Sequence, residues 1–307
     1  MVKNERWGRK FIDVRNWKIY HEELVIRGEF YFDFSFLENW NLDLRKQNCN
    51  KVGHPFEYPD SLFVYLSPMY CFLDSRKLEG ALRKLSRYVL KLKSCDHSTI
   101  CERLSKLNPQ IQLDKSKSYD AIFDSTGNKL TNRGEYMRHK WRVQRGWIKV
   151  SITIDKNTKD LLDVEVSLEN VEDAELAKKH LQNLDEIKIN SGTGDGAYYR
   201  EDLYEEFKKR GIIPIIKPRI DASDKGLDPM HKAVREFNAL GGYGAWKDKY
   251  EYGKRWHVEG KISSTKRCNG ECTRMINEQN VLKEAKRKFI DYERMRKYAH
   301  EQIKLIA

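Results

Sequence analysis

Hydrophobic and polar positions change rhythm along this chain, and the changes mark its organisation. To about residue 58 the pattern is aromatic and irregular ("NWKIYHEELVIRGEFYFDFSFLENW"), and its rings are expected to anchor the segment to a core. From Pro59 helical spacing takes over. "PDSLFVYLSPMYCFL" predicts an apolar helix interrupted near Ser67 and Pro68. "DSRKLEGALRKLSRYVLKL" sets Leu78, Leu82, Leu85, Val89 and Leu92 on one helical face. "HSTICERLSKL" predicts a third helix, with Thr99 and Glu102 as a capping box. Three short helices with short connections fit a helix-turn-helix module.

The middle of the chain alternates instead. "SYDAIFDST" reads as a strand, and "WIKVSITID" and "LLDVEVSLE" as an antiparallel hairpin turning at "KNTKD". "VEDAELAKKHLQNL" predicts an amphipathic helix capped by Asn170. "EIKINSGTGDGAYY" is a strand ending in glycines, "REDLYEEFKKRG" a helix stopped by Gly211, and "IIPIIKP" a short strand. Three strands, helix, strand, helix, strand and then helices suit a mixed α/β sheet with helices on its faces. A helix is expected over Met230 to Leu240, inside a loop that either closes over a ligand or is a plain surface connection. A long basic helix is expected from about Val281 to Ile306. It carries Lys283, Lys286, Arg287, Lys288, Arg294, Arg296, Lys297 and Lys304, which would track a polyanion or meet a second subunit.

Charge narrows the function. The 307 residues carry 58 Lys and Arg against 46 Asp and Glu, a net +12, so a polyanionic partner is one reading and a merely solvated basic surface the other. Arg83, Lys84, Arg87, Lys91, Arg103 and Lys106 give the three short helices basic faces, open to the same two readings. No apolar run approaches the ~18 residues of a membrane span. "MVKNERWGRKF" lacks the apolar centre of a signal peptide. Six cysteines, with only Cys268 and Cys272 near each other, lack zinc-module spacing and read as reduced thiols of a cytoplasmic protein.

Three carboxylates stand out. Asp124 ends the apolar run "IFD", where an ionised group is costly unless a cation or an Asx turn compensates it. Asp195 lies between Gly194 and Gly196 at a strand-to-helix change, a position that is either a ligand site or a turn. In "YGKRWHVEGKISSTK", continuous helical geometry would gather Tyr252, Arg255, Glu259 and Lys266 within roughly one sixth of a turn. That stripe is either a solvated salt bridge or part of a site. Brought together, two aspartates and a glutamate would hold two divalent ions of the Mg²⁺ type for phosphodiester chemistry. Trp256, beside the stripe, is either a stacking platform for an unpaired base or a core residue.

Tyr252, Arg255, Glu259 and Lys266 match the Tyr-x2-Arg-x3-Glu-x6-Lys signature of a family of DDE transposases of prokaryotic insertion sequences. "DSTG" around Asp124 and "GDGAYY" around Asp195 resemble that family's two earlier acidic motifs. The resemblance covers about residues 115–270, and "YPD", "RKLEG" and "DHSTICERL" resemble its N-terminal region. It implies a ribonuclease H-like mixed sheet with flanking helices over residues 111–270. A helix-turn-helix-like DNA-binding region would precede it (1–110) and a basic helix follow it (271–307). The short interval from Asp195 to Glu259 leaves no room for a large insertion. The resemblance also implies Mg²⁺ (or Mn²⁺) held by Asp124, Asp195 and Glu259. It implies DNA contacts by Tyr252, Arg255 and Lys266, and binding of the element's terminal inverted repeats and target DNA; among the basic faces of the short helices, Arg83, Arg87 and Arg103 are the candidate DNA contacts. A homodimer on DNA in the nucleoid is expected. A catalytically inactive DNA-binding remnant and a stand-alone metal-dependent nuclease are the alternatives.

Overall fold

The computed structural model describes residues 3–6, 9–12, 15–130, 147–168 and 171–306. It begins with an antiparallel pair, β1 (Lys3–Arg6) and β2 (Arg9–Ile12). The aromatic segment that reads as irregular then forms two helices, α1 (Trp17–Glu29) and α2 (Trp40–Asn48). Asn16 starts α1 by accepting from the amides of Lys18 and Ile19. Next come α3 (Asp60–Tyr70), α4 (Ser75–Leu85) and α5 (His97–Lys106), whose Leu62, Phe63, Leu66, Leu78, Leu82, Ile100 and Leu104 form one core.

Local chemistry departs from the sequence reading at three points. Pro68 does not interrupt α3 but sits in its last turn. The carbonyl that its missing N–H leaves free, on Val64, accepts from Arg294 Nη1 at 3.0 Å. α5 is capped by Asp96, which accepts from Thr99 N at 2.9 Å, while Glu102 pairs with Lys106. α4 ends at Leu85, so Val89 and Leu92 reach the same core from the connection to α5. That connection spans residues 86–96, longer than a helix-turn-helix turn.

The alternating region folds as expected. Strands β3 (Ser118–Leu130), β4 (Trp147–Asp155) and β5 (Leu161–Leu168) are antiparallel neighbours. Helix α6 (Asp173–Asn183) follows; its N-cap position is Glu172, and the expected cap Asn170 lies outside the described residues. Then come β6 (Lys188–Gly194), α7 (Glu201–Lys209), β7 (Ile213–Ile216), α8 (Pro229–Ala239), α9 (Tyr243–Lys249), α10 (His257–Asn269), β8 (Cys272–Thr273) and α11 (Glu278–Ile306). The sheet order is β5-β4-β3-β6-β7, with β6 parallel to β3, β7 parallel to β6, and β8 pairing the far end of β3. This is a ribonuclease H-like mixed sheet.

Helices cover both faces. Phe123 packs with Ala177, Leu181, Leu203 and Phe207 of α6 and α7. Its neighbour Ile122 points the other way, into Val258 and Ile262 of α10 and Ala285, Phe289 and Ile290 of α11. Gly192 allows the first face to close, because a Cβ there would lie 2.7 Å from the Phe207 ring. Helix α11 also packs on α1, α3 and α5, and so joins the helical region to the sheet. Its basic residues are not the free face that the sequence suggests. Arg287, Lys288 and Arg296 are buried, and Lys286 and Arg294 pair with Glu165 and Asp291. All six cysteines are free, and no described helix is long and apolar enough to cross a membrane.

Candidate active site

Two neighbouring strands bring the aspartates together: Asp124 lies midway along β3, not at the strand end that the sequence suggests, because pairing with β4 runs on to Lys129, and Asp195 follows the last residue of β6. The β3–β6 register runs to Ile122 opposite Thr193. Continued by two residues, it sets Asp124 across from Asp195, about one strand spacing, ~5 Å, away. Alternation turns Asp124 to the side of Ile122, where Val258 of α10 packs. Glu259 is the next residue of that helix. Asp124, Glu259 and Lys266 line one open cleft of about 630 Å³, together with Thr126, Arg267 and Glu271.

The electrostatics report the same proximity. The Asp124 carboxyl is pushed up to about 6, first by burial; the Ser125 amide and the Arg255 guanidinium pull it back, and the charges of Asp195 and Glu259 add to the rise. In this arrangement the other two carboxylates are engaged locally. Asp195 accepts from Ala197 N at 2.8 Å, and Glu259 pairs with Arg255 at 2.6 Å. No three acidic, His or Cys side chains among the described residues are gathered tightly enough to hold an ion without side-chain rotation.

The stripe is split between two elements. A 3-10 turn over Tyr252–Trp256 precedes α10, so the helix does not run through Tyr252 and Arg255. Tyr252 is buried against Trp246, and its hydroxyl donates to Gly194 O at 3.1 Å. It braces the residue before Asp195 rather than facing the cleft. Lys266 donates to Gly127 O at 2.6 Å, and burial pulls its pKa down. Trp256 is 66% exposed and is not a core residue; it lines a neighbouring cleft with His257 and Lys261.

The N-terminal candidates separate. Arg83 is exposed and pairs with Glu79, and Arg87 is exposed. Arg103 is turned inward: its guanidinium bonds Asp60 at 2.6 Å and lies over the rings of Phe56 and Phe63. None of the three lines the cleft.

A Transposase DDE domain description matches residues 115–292, more than half of the chain, and a second of the same description matches residues 25–133. The chain belongs to the DDE transposase family. A solved structure described as a piggyBac transposase synaptic complex with hairpin DNA is similar at 10% identity over 92% of this chain and 79% of that one. Its TM-score is 0.39, too low to add weight.

DDE transposase domains use divalent metal ions. The donors here fit such an ion. Three carboxylates supply hard oxygen ligands, and Asp124 is raised mainly by burial, a cost that a bound cation would offset. Asp124 and Glu259 share the cleft, where Glu259 is held by Arg255; Asp195 lies outside its lining and is held by Ala197 N.

One polar network behind this site was missed in the sequence. His180, fully buried on α6, bonds Asp163 through Nδ1 at 2.8 Å and the Ser151 hydroxyl through Nε2 at 3.0 Å. The Ser151 hydroxyl in turn donates to Asp124 O at 3.4 Å. This chain of polar groups lies behind the β3 backbone and has no access to substrate. The only cue to it is that Ser151 and Asp163 are polar positions within apolar strands.

Proposed function

We propose that this DDE transposase is of the insertion-sequence type with the Tyr-Arg-Glu-Lys signature, cutting DNA at the element's ends and joining those ends to target DNA. The observation that supports it most is geometric: the β3–β6 register, continued by two residues, sets Asp124 across from Asp195, and Glu259 lines the same cleft as Asp124. In this reading the three carboxylates hold Mg²⁺ (or Mn²⁺). When bound, the metal supplies activation of the attacking oxygen and charge stabilisation at the leaving one.

The chain's own residues do the rest. Arg255, released from Glu259, binds a phosphate beside the cut. Lys266 binds another from the cleft wall. Tyr252 holds the end of β6, and so Asp195, in place. Exposed Trp256 stacks on an unpaired base next to the cleft. The terminal inverted repeats, a homodimer on DNA and a nucleoid location belong to this reading.

The test is incubation with a DNA fragment carrying the element's end, with and without Mg²⁺, followed by sequencing of the products. Asp124→Asn, Asp195→Asn and Glu259→Gln are each expected to lower cleavage by about 10³-fold or more, the several kcal/mol that metal-assisted stabilisation contributes, while end binding persists. Normal cleavage by any one of them removes that residue from the site. Hydrolysis without joining would favour a stand-alone nuclease, and binding without either would favour an inactive remnant.

A further inference from the structure

The connection between α4 and α5 has chemistry that the catalytic cleft does not use. Leu92 N bonds Val89 O at 3.3 Å, which closes a turn with Leu90 and Lys91 at its corners. Val89 and Leu92 point inward to the helical core, and Leu92 is buried. Leu90 points out and is 89% exposed, and Tyr88 beside it is 73% exposed. Such a turn is therefore anchored at both feet and apolar at its tip.

Cations surround the tip. Arg87, Lys91 and Lys93 are exposed, and their side chains form no ion pair or hydrogen bond with a described residue. Lys84 lies over the Tyr88 ring at 5.3 Å. Lys91 has φ 69°, the left-handed conformation that glycine or asparagine adopts at much lower cost. A lysine kept there fits a need for its charge at the apex.

We infer that this turn is a DNA wedge: Leu90 enters the minor groove between two base pairs and kinks the duplex, while Arg87, Lys91 and Lys93 hold the phosphates on either side. An apolar side chain inserted at a base step unstacks it and bends the helix, and flanking cations fix the wedge in register. Flexible pyrimidine–purine steps yield most readily, so the turn would favour a TA step without reading bases by hydrogen bonds. The inference rests on the transposase reading for its choice of DNA as partner. It adds a second DNA-binding element, on the helical region, that deforms the duplex rather than cutting it.

The test uses a 30-bp duplex of mixed sequence with one central TA step, 2-aminopurine in place of that adenine, and a dye at each end. The full-length protein is expected to raise 2-aminopurine fluorescence and to bring the dyes closer. Leu90→Ser should lose both signals, and Leu90→Phe should restore them; the site is exposed, so both variants keep the fold, checked by circular dichroism. Replacing Arg87, Lys91 and Lys93 by Gln together should flatten the salt dependence of binding by about 2.7 in log–log slope, 0.9 for each phosphate that is no longer neutralised. The inference is overturned if the wild type fails to bind or binds without unstacking, if Leu90→Ser behaves as wild type, or if the triple variant keeps the slope. It is equally overturned if these substitutions change self-association instead of DNA binding. Metal-dependent cutting of the element's end, measured in the same preparations, separates the two readings. Cutting retained with no wedge signal sinks this inference alone, and a wedge signal with no cutting sinks the catalytic reading alone.

Discussion

Two regions of this transposase are both rich in basic residues and opposite in structure. The turn between α4 and α5 keeps Arg87, Lys91 and Lys93 exposed and unpaired. Helix α11 carries more basic residues and turns most of them inward. Arg287 donates to Leu104 O, Lys288 to Cys272 O, and Arg296 to Glu293 and Asp160, while Lys261 of α10 pairs with the same Glu293. Basic composition alone therefore does not locate a polyanion site. What separates the regions is the supply of local acceptors, which α11 finds on the sheet edge and in the helical region and the turn does not.

The sharpest way to break this contrast is to truncate one cation from each region. Arg296→Ala takes one of two cations from buried Glu293, which keeps Lys261, and the ion pair from part-exposed Asp160, and is expected to cost about 2–3 kcal/mol of stability by urea denaturation. A cost under about 1 kcal/mol would show that α11 is not held by its ion pairs. Of similar size is acid sensitivity. Burial pushes the Glu293 carboxyl up, but Lys261 and Arg296 more than reverse this and hold it down at about 2. A carboxylate lowered by folding contributes stability above its unfolded value, near 4.3. That stability is lost as pH falls from about 4 toward 2, here about 2–3 kcal/mol. Denaturation followed against pH should show this loss in the wild type and its near absence in Glu293→Gln.

In the turn the expected changes are smaller. Lys93→Gln should move stability by less than about 0.5 kcal/mol, as exposed substitutions do, yet weaken duplex binding measurably at low salt. A change at the apex of the turn sharpens the contrast most. Lys91→Gly relieves a left-handed backbone and is expected to raise stability by about 0.5–1 kcal/mol, while weakening duplex binding as much as Lys91→Gln does. A stabilised variant with undiminished binding would mean that the lysine is not there for DNA.

Much of the fold was legible because its signals are local. Alternation in "WIKVSITID" and "LLDVEVSLE" marks the antiparallel hairpin, and the glycines of "INSGTGDG" set Asp195 just past the end of β6; Asp124 reads as a strand end because its pairing on to Lys129 depends on β4, distant in sequence. The helical placement of Glu259 was legible too, in α10. Partners distant in sequence were not. Arg103 reads as a DNA contact until Asp60 and the rings of Phe56 and Phe63 come near it. Tyr252 reads as part of a helical stripe until a 3-10 turn swings it inward to Gly194. Helices α1 and α2 have no apolar stripe of normal width. α1 is held by packing on α11, more than 250 residues later.

Arg294 and Asp291 reach from α11 to the Val64 carbonyl and the Ser67 hydroxyl of α3, the second contact at 2.5 Å. The ribosome makes α3 long before it makes the residues that satisfy it. Chains released before α11 would therefore leave the front helices incompletely packed. Such fragments should be readily cleaved by proteases, and the front helices would reach their final stability only once α11 has been made.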